Sequence, residues 1–417
     1  MRIPFAASCI ALLALAACGP KVTEPPPGSQ QAEVEPLPPE VRVGLLLPLS
    51  GAAAPLGQDM LDAAQMALFD VGENDIVLLP RDTGGTPDGA RQAAEQLIDE
   101  GAEVILGPLF SQAVVAVRPV AAQAGIRLLA FSNDAKVAGD GAFLLGFRPE
   151  EQVRRVVDFA LAQNLVRIAG LAPDDAYGAT ALTALRQAVQ AGGGELGATL
   201  YYPPQQADLS AVVRRIAAYD QRQAALEKEK ERLAALDDEE SKRALEELET
   251  LDTFGELPFD AILIADGSDR LRSVASLLNF FDIDPTLARY LGTMRWQDDP
   301  RVLEEAALQG GWYAGPPPAS VAAFRNRFEG IFGRPPELLA ALAYDATALA
   351  VIVVRDLGDR SFAPATLTNA EGFAGATGLF RLRPDGLAEH ALAVLQVAQG
   401  TAEVIDPAPR SFVLAAR

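Results

Sequence analysis

The sequence predicts an α/β fold in which parallel sheets carry helices on their faces and are divided between two lobes. Short, continuous apolar runs alternate with amphipathic helical stretches, and a small-residue loop follows most of the runs. The length of 417 residues is well above the ~150 of a typical domain, which implies two lobes. The first run, Val43-Gly44-Leu45-Leu46-Leu47, has the length and bounded ends of a strand buried on both faces. It stops at Pro48. The loop at 49–57, with Ser50, Gly51 and Gly57, precedes Leu61, Ala64, Met66 and Leu68 at roughly helical spacing. In open parallel sheets ligands bind beyond the carboxyl ends of the strands, so Ser50 and Gly51 form a candidate ligand lip.

What precedes this strand sets the compartment. Met1-Arg2, an apolar run at 3–17 and Leu15-Ala16-Ala17-Cys18-Gly19 read as an export signal over residues 1–17, too short for a spanning helix. The pattern resembles the bacterial lipoprotein signal. Small residues give a peptidase access to the bond before Cys18, whose thiol then takes a lipid and anchors the chain to a membrane by that lipid only. The other cysteine, Cys9, lies inside the apolar run, so no thiol is left for a disulfide or a metal. Gly19 in the place of Asp implies, by the same resemblance, the periplasmic face of the outer membrane. Residues 18–40 are Pro-rich and polar and read as a tether, which at ~3 Å per residue reaches on the order of 60 Å. The formal net charge of −21 argues against nucleic acid as a partner.

The first lobe is expected over 41–147, joined by part of 320–380. It contains strands at 75–81, 104–106, 127–131 and 142–145 and helices at 86–98 and 111–124, with Ser111 as a candidate N-cap. The loops carrying Ser50 and Gly51, Ser111, and Ser132-Asn133-Asp134 would emerge at one sheet edge, where hydroxyls and backbone N–H groups suit a carboxylate. The second lobe is expected over 148–318. A helix at 149–162, a strand at 167–172, the loop Pro173-Asp174-Asp175-Ala176-Tyr177-Gly178, a helix at 179–191 and a strand at 195–202 open it. A strand at 259–265 ends in Asp266-Gly267-Ser268-Asp269 and leads into a helix at 270–281. Strands at 289–292 and 311–314 follow, then helices at 319–332 and 338–357. Alternating stretches at 378–383 and 392–399 suggest a closing hairpin, in a segment 319–417 that both lobes share.

An insertion interrupts the second lobe at 209–251. Its core at 223–251 is rich in Ala, Leu, Glu, Lys and Arg, all strong helix formers. Leu226, Leu233, Leu236, Leu245, Leu248 and Leu251 form an apolar stripe, broken at Asp237-Asp238, which reads as a protruding helical hairpin. Glu239 and Arg243 stand four apart and can pair. Lys228, Lys230, Arg232, Lys242 and Arg243 make this a locally mixed-charge region of an acidic chain, and the candidate surface for a protein partner.

VGLLLPLSG at 43–51, GAEVILGPLFS at 101–111, DDAYG at 174–178 and AYDAT at 343–347 together resemble the type I periplasmic binding proteins of the leucine/isoleucine/valine kind. The resemblance implies two Rossmann-like lobes clamping a ligand across a hinged cleft. In amino-acid receptors of that family a serine and a tyrosine contact the ligand, and Ser111 and Tyr177 match them. The remaining cleft loops would place Ser132, Asn133, Asp134, Asp266, Met294 and Arg295 at the ligand. Where those receptors set an acid against the ligand ammonium, this chain offers Met294 and Arg295, with Asp134 or Asp266 left to compensate. A buried ammonium without a carboxylate costs several kcal/mol. A lipoprotein signal and a second-lobe insertion also resemble the outer-membrane activators of penicillin-binding proteins. That resemblance implies regulation of peptidoglycan synthesis through contact with a bifunctional penicillin-binding protein. The alternative is a substrate-binding lipoprotein of an ABC uptake system for amino acids or related small acids.

Catalytic machinery is not expected. The one histidine, His390, is far in sequence from every cleft loop, which leaves a satisfied or surface role for it. No His/Cys cluster has metal-ligand spacing, the P-loop and GxGxxG patterns are absent, and no cofactor is implied.

Overall fold

A computed structural model describes residues 40–71, 76–236, 238–297 and 299–413. The signal, Cys18 and the tether as far as residue 39 lie outside the described residues.

The first lobe is built on strands β1 (Val41–Leu47), β2 (Ile76–Asp82), β3 (Val104–Leu106), β4 (Arg127–Ala130) and β5 (Ala142–Leu144). All pair in parallel, in the order β2-β1-β3-β4-β5. The apolar run of β1 is explained by burial on both faces. Val43, Leu45 and Leu47 point into the core under helices Ala54–Val71 and Ala340–Arg355, whereas Leu46 packs beneath Pro87–Asp99 and Ser111–Ala124. Ser111 does not cap its helix: it is the first helical residue, Phe110 occupies the N-cap, and no side chain closes the turn.

The second lobe holds β6 (Arg167–Pro173), β7 (Glu195–Tyr202), β8 (Ala261–Ile264), β9 (Arg289–Gly292) and β10 (Trp312–Gly315), again parallel. A three-stranded antiparallel sheet follows, made of β11 (Phe373–Gly375), β12 (Gly378–Leu382) and β13 (Ala388–His390). Strands β14 (Ala393–Ala398) and β15 (Thr401–Asp406) then add antiparallel to the free edge of β10 and complete the order β15-β14-β10-β9-β8-β6-β7. The closing hairpin expected from 378–383 and 392–399 is therefore corrected. Those two stretches lie in different sheets, β12 paired with β11 and β13, and β14 with β10 and β15. Alternation reports a half-buried strand but not its neighbour, and the tight turn at Gln399-Gly400, both at positive φ, gives β14 its hairpin partner instead.

The chain passes between the lobes three times: from β5 into helix Pro149–Ala162, from β10 through Pro316-Pro317-Pro318 into helix Pro318–Phe332, and from β13 to β14. Phe324, Phe328 and the apolar face of Ala340–Arg355 join the first-lobe core, so 318–382 packs on the first lobe while 393–406 finishes the second sheet. Arg148, on the first passage, donates to the Ala388 carbonyl at 3.1 Å, and Arg155 donates to the Leu392 carbonyl at 3.0 Å, fastening the first passage to the third.

The insertion is a helical hairpin. Helix Ser210–Ile216 belongs to the lobe, since Val212, Val213 and Ile216 lie in its core. Helices Tyr219–Ala234 and Glu239–Leu248 pack on each other around Leu226, Leu233 and Leu248, a cluster separate from the lobe cores. Leu236 and Leu251 are exposed. Asp238 caps the second helix by accepting from the Ser241 N–H at 2.8 Å. Glu239 pairs with Lys242 at 3.1 Å, three residues on, rather than with Arg243. The root is held by buried Arg222, which donates to Thr253 Oγ1 at 2.6 Å and to the carbonyls of Phe281 and Asp282 at 3.3 and 3.2 Å.

Candidate functional site

A cavity of about 370 Å³ opens between the lobes. Its first-lobe wall comes from the ends of β3, β4 and β5. The Phe131 N–H donates to the Pro108 carbonyl at 3.0 Å, and Ser132 Oγ accepts from the Asp134 N–H at 3.2 Å, which curls the loop after β4. Gly146 permits the passage to lie against this loop: a Cβ there would sit 2.5 Å from the Ser132 carbonyl carbon and oxygen.

The second-lobe wall is built by two fixed turns. Asp175 accepts from the Gly178 N–H at 2.8 Å and so starts helix Ala176–Ala191 with Tyr177 in its first turn. Gly178 is required there, because a Cβ would lie 2.0 Å from the Pro173 carbonyl oxygen. The other turn follows β9. The Met294 N–H donates to Gln152 Oε1 at 2.9 Å, and the Trp296 indole N–H donates to the Ile264 carbonyl at 3.3 Å. Arg295, between these two anchored residues, projects its guanidinium over the Tyr177 ring, 4.7 Å from the centroid. The Tyr177 hydroxyl lies 2.7 Å from Thr293 Oγ1.

Of the candidate cleft residues, Ser132, Asn133, Tyr177, Met294 and Arg295 line this one cavity. Ser111 and Asp134 line a neighbouring chamber of about 630 Å³ that shares Asn133 and Tyr177 with the first. Three others are turned to structural work and lie outside both. Ser50 and Gly51 sit on a loop gathered by Asp82, whose Oδ1 accepts from the N–H groups of Leu49, Ser50 and Gly84 at 2.9, 3.2 and 2.8 Å. Burial pushes the Asp82 carboxyl up, but these bonds and one from the Ser50 hydroxyl hold it below the usual range. Asp266 is buried, accepts from the Tyr202 hydroxyl and the Gly267 N–H, and faces Arg270 at 3.4 Å.

The apolar part of the wall was not read from the sequence: Leu56, Phe131, Phe147, Leu338 and Leu339 line the cavity with Leu109 and Phe110. Gln152 carried a legible signal. It is 2% exposed and falls on the same helical stripe as Val153, Val156 and Val157, a polar residue on a core-facing strip. The side chain of His390 is likewise covered, its Nδ1 3.3 Å from Glu151 Oε2 and its ring 4.5 Å from that of Phe147. Glu151 also pairs with Arg148. Burial pushes the Glu151 carboxyl up, but the partners His390 and Arg148 outweigh it and hold the group below its ordinary value. Of the five basic residues on the hairpin, Lys230 and Arg232 pair with Glu227 and Glu229, and Lys242 with Glu239, which neutralises much of that surface.

The sequence profile of the periplasmic binding protein family matches residues 40–402. The chain belongs to the periplasmic binding proteins. Membership of that family implies a periplasmic location. Among curated relatives, this periplasmic binding protein is 25% identical to the Leu/Ile/Val-binding protein BraC3 of Rhizobium johnstonii over 188 residues, 42% of this chain and 51% of that protein. The chain spans about a third to about half of the curated relatives it matches, 32% of one and 51% of the other. Among solved structures it resembles a branched-chain amino acid ABC transporter ligand-binding protein from Burkholderia xenovorans, with a TM-score of 0.68, 19% identity, and 88% and 96% of the two chains covered. It also resembles a solute-binding protein of an ABC transporter from R. palustris in complex with benzoate, with a TM-score of 0.59, 18% identity, and 89% and 97% covered. At these identities the solved structures establish the type I fold and no more.

Proposed function

We propose that this periplasmic binding protein captures a small organic solute in the cleft and presents it to an ABC-type membrane transporter. The observation that carries the reading is the convergence of Ser132, Asn133, Gln152, Tyr177 and Arg295, from both lobes, on one cavity whose remaining side chains are apolar. The relatives named above support it, since each is a binding protein of leucine, isoleucine and valine or of a transport system. Nothing in the cavity joins a nucleophile to a base: Ser132 Oγ accepts from a backbone N–H, and the one histidine is engaged by Glu151. Binding without chemistry fits this arrangement. Lipidation of Cys18 would hold the protein at its membrane, and Cys18→Ser should release it from a washed envelope fraction.

The activator of penicillin-binding proteins is the second reading, and the comparisons lend it no support. What favours it is the hairpin, which packs on itself around Leu226, Leu233 and Leu248 and leaves a surface free for a partner protein. Calorimetric titration of the purified protein against a panel of small organic acids tests the first reading. Surface plasmon resonance against a bifunctional penicillin-binding protein tests the second. Binding to that enzyme with no response to any solute would reverse their order.

A further inference from the structure

We infer that the solute is an organic monocarboxylate with an apolar body and no ammonium group, its carboxylate received by Arg295. This rests on the reading of the cleft as a small-solute site.

Charge makes the first part of the case. Among the described residues lining the cavity, Arg295 is the one charged side chain. Among the described residues it forms no ion pair, and its guanidinium lies over the face of Tyr177. In a chain of net charge −21, a guanidinium with no carboxylate partner among the described residues is a natural seat for an anion. The ring contact positions the guanidinium, whose planar fork of N–H donors matches a carboxylate through two parallel bonds. The turn that carries it is anchored on both sides by the Met294 and Trp296 bonds, so the group is pre-positioned.

The second part is what the cavity lacks. No Asp or Glu is among the described residues lining it. Of the acids on the cleft loops, Asp266 and Asp134 are committed elsewhere, and Glu150 lines the neighbouring chamber rather than this one. Asp266 answers Tyr202 and Arg270, and Asp134 accepts from the Lys136 N–H at 3.1 Å and faces the neighbouring chamber. An α-amino acid held by Arg295 would meet no carboxylate for its ammonium among the described residues lining this cavity.

The third part is the opposite wall. Leu109, Phe110, Phe131, Leu338 and Leu339 come from the first lobe, and Phe110 and Leu339 are 40% and 38% exposed, more than isolated core residues tolerate. An alkyl or aryl body covers them, while the carboxylate reaches the second lobe. Only a molecule with both ends engages both walls.

Matched pairs isolate the ammonium. The full chain, purified in detergent, is titrated by calorimetry at pH 7.5 with 4-methylpentanoate against L-leucine, and with 3-phenylpropanoate against L-phenylalanine. The alcohol 3-phenylpropan-1-ol removes the charge instead. The expected result is that at least one acid binds, that its amino-acid and alcohol counterparts bind at least tenfold more weakly, and that Arg295→Gln loses at least tenfold for the acid while lowering the ligand-free melting temperature no more than Tyr177→Ala does. Arg295→Lys keeps the charge but not the fork and should fall between. Leucine or phenylalanine binding as tightly as its deaminated partner overturns the inference and leaves the solute-binding reading intact. Failure of all five compounds to bind or to raise the melting temperature overturns the inference and counts against that reading as well.

Discussion

Arg295 and Tyr177 form one unit: the guanidinium lies 4.7 Å from the centre of the phenol ring, while the phenol oxygen is 2.7 Å from Thr293 Oγ1. The ring thus joins the start of helix Ala176–Ala191 to the turn after β9. Tyr177→Phe keeps the ring and loses the hydroxyl, and should cost ~0.5–1.5 kcal/mol of stability. Tyr177→Ala also removes the cation–π contact, worth a further ~0.5–1 kcal/mol at a partly exposed site. Chemical denaturation of the two variants separates the contributions. A Tyr177→Phe protein as stable as the wild type would make the contact with Thr293 incidental.

Gly146 and Gly330 offer opposite expectations for one substitution. Gly146→Ala drives a Cβ into the Ser132 backbone, which cannot yield as a flexible side chain can, so a loss of roughly 1–3 kcal/mol is expected together with weaker solute binding. Gly330 lies exposed within helix Pro318–Phe332 with nothing near its Cβ position. Gly330→Ala should stabilise by ~0.5–1 kcal/mol. Thermal unfolding of both reports the sign directly.

Asp345 gives a pH dependence. It is buried, accepts from the Ala376 N–H and, at 3.1 Å, from Thr377 Oγ1, and burial pushes its carboxyl up to about 6. The folded state therefore holds this proton more tightly than the unfolded chain does. Its contribution is most favourable below the ordinary aspartate value of 3.8, is lost as the pH rises to about 6, and is constant beyond. Glu151, held below its ordinary value, acts in the other sense and loses its contribution only in acid. Asp345→Asn should remove the decline, so that the variant gains roughly 2 kcal/mol on the wild type between pH 4 and pH 7. Parallel stability curves over that range would refute the assignment.

The hairpin separates packing from anchorage. Replacing residues 223–251 with a short Gly/Ser linker removes the cluster of Leu226, Leu233 and Leu248, which the lobe cores do not share, and should leave the melting transition nearly unchanged. Closure is feasible because the Phe254 N–H already donates to the Arg222 carbonyl at 3.1 Å. Arg222→Ala is the smaller edit with the larger effect. It strips partners from Thr253 and from the carbonyls of Phe281 and Asp282, at a cost of about 2–3 kcal/mol. Equal melting temperatures for the two proteins would contradict this division.

Much of the fold was legible because parallel strands buried on both faces appear as uninterrupted apolar runs, as Val43 to Leu47 and Val104 to Leu106 do. The same logic located Ser132, Asn133, Tyr177, Met294 and Arg295, all of which follow strand ends. It also nominated Ser50 and Asp266, which occupy equivalent positions yet serve Asp82 and Tyr202. Position at a strand end is written locally, whereas the partner a side chain meets there is set by elements distant in sequence. Leu338 and Leu339 were invisible for that reason: they reach Phe131 from about two hundred residues away, and only the packing of helix Ala340–Arg355 against Ala54–Val71 brings them there.

The three passages between the lobes differ in mechanical character. The first and third are laced through Arg148, Glu151, His390 and Arg155, so neither can slide along the other. The second is a strut of three prolines, whose fixed φ angles resist both shortening and twist. Two sheets coupled in this way have little freedom to shear or translate. What remains is a single angular coordinate about the line through the passages, so one distance between a label on each lobe would describe the state of the cleft.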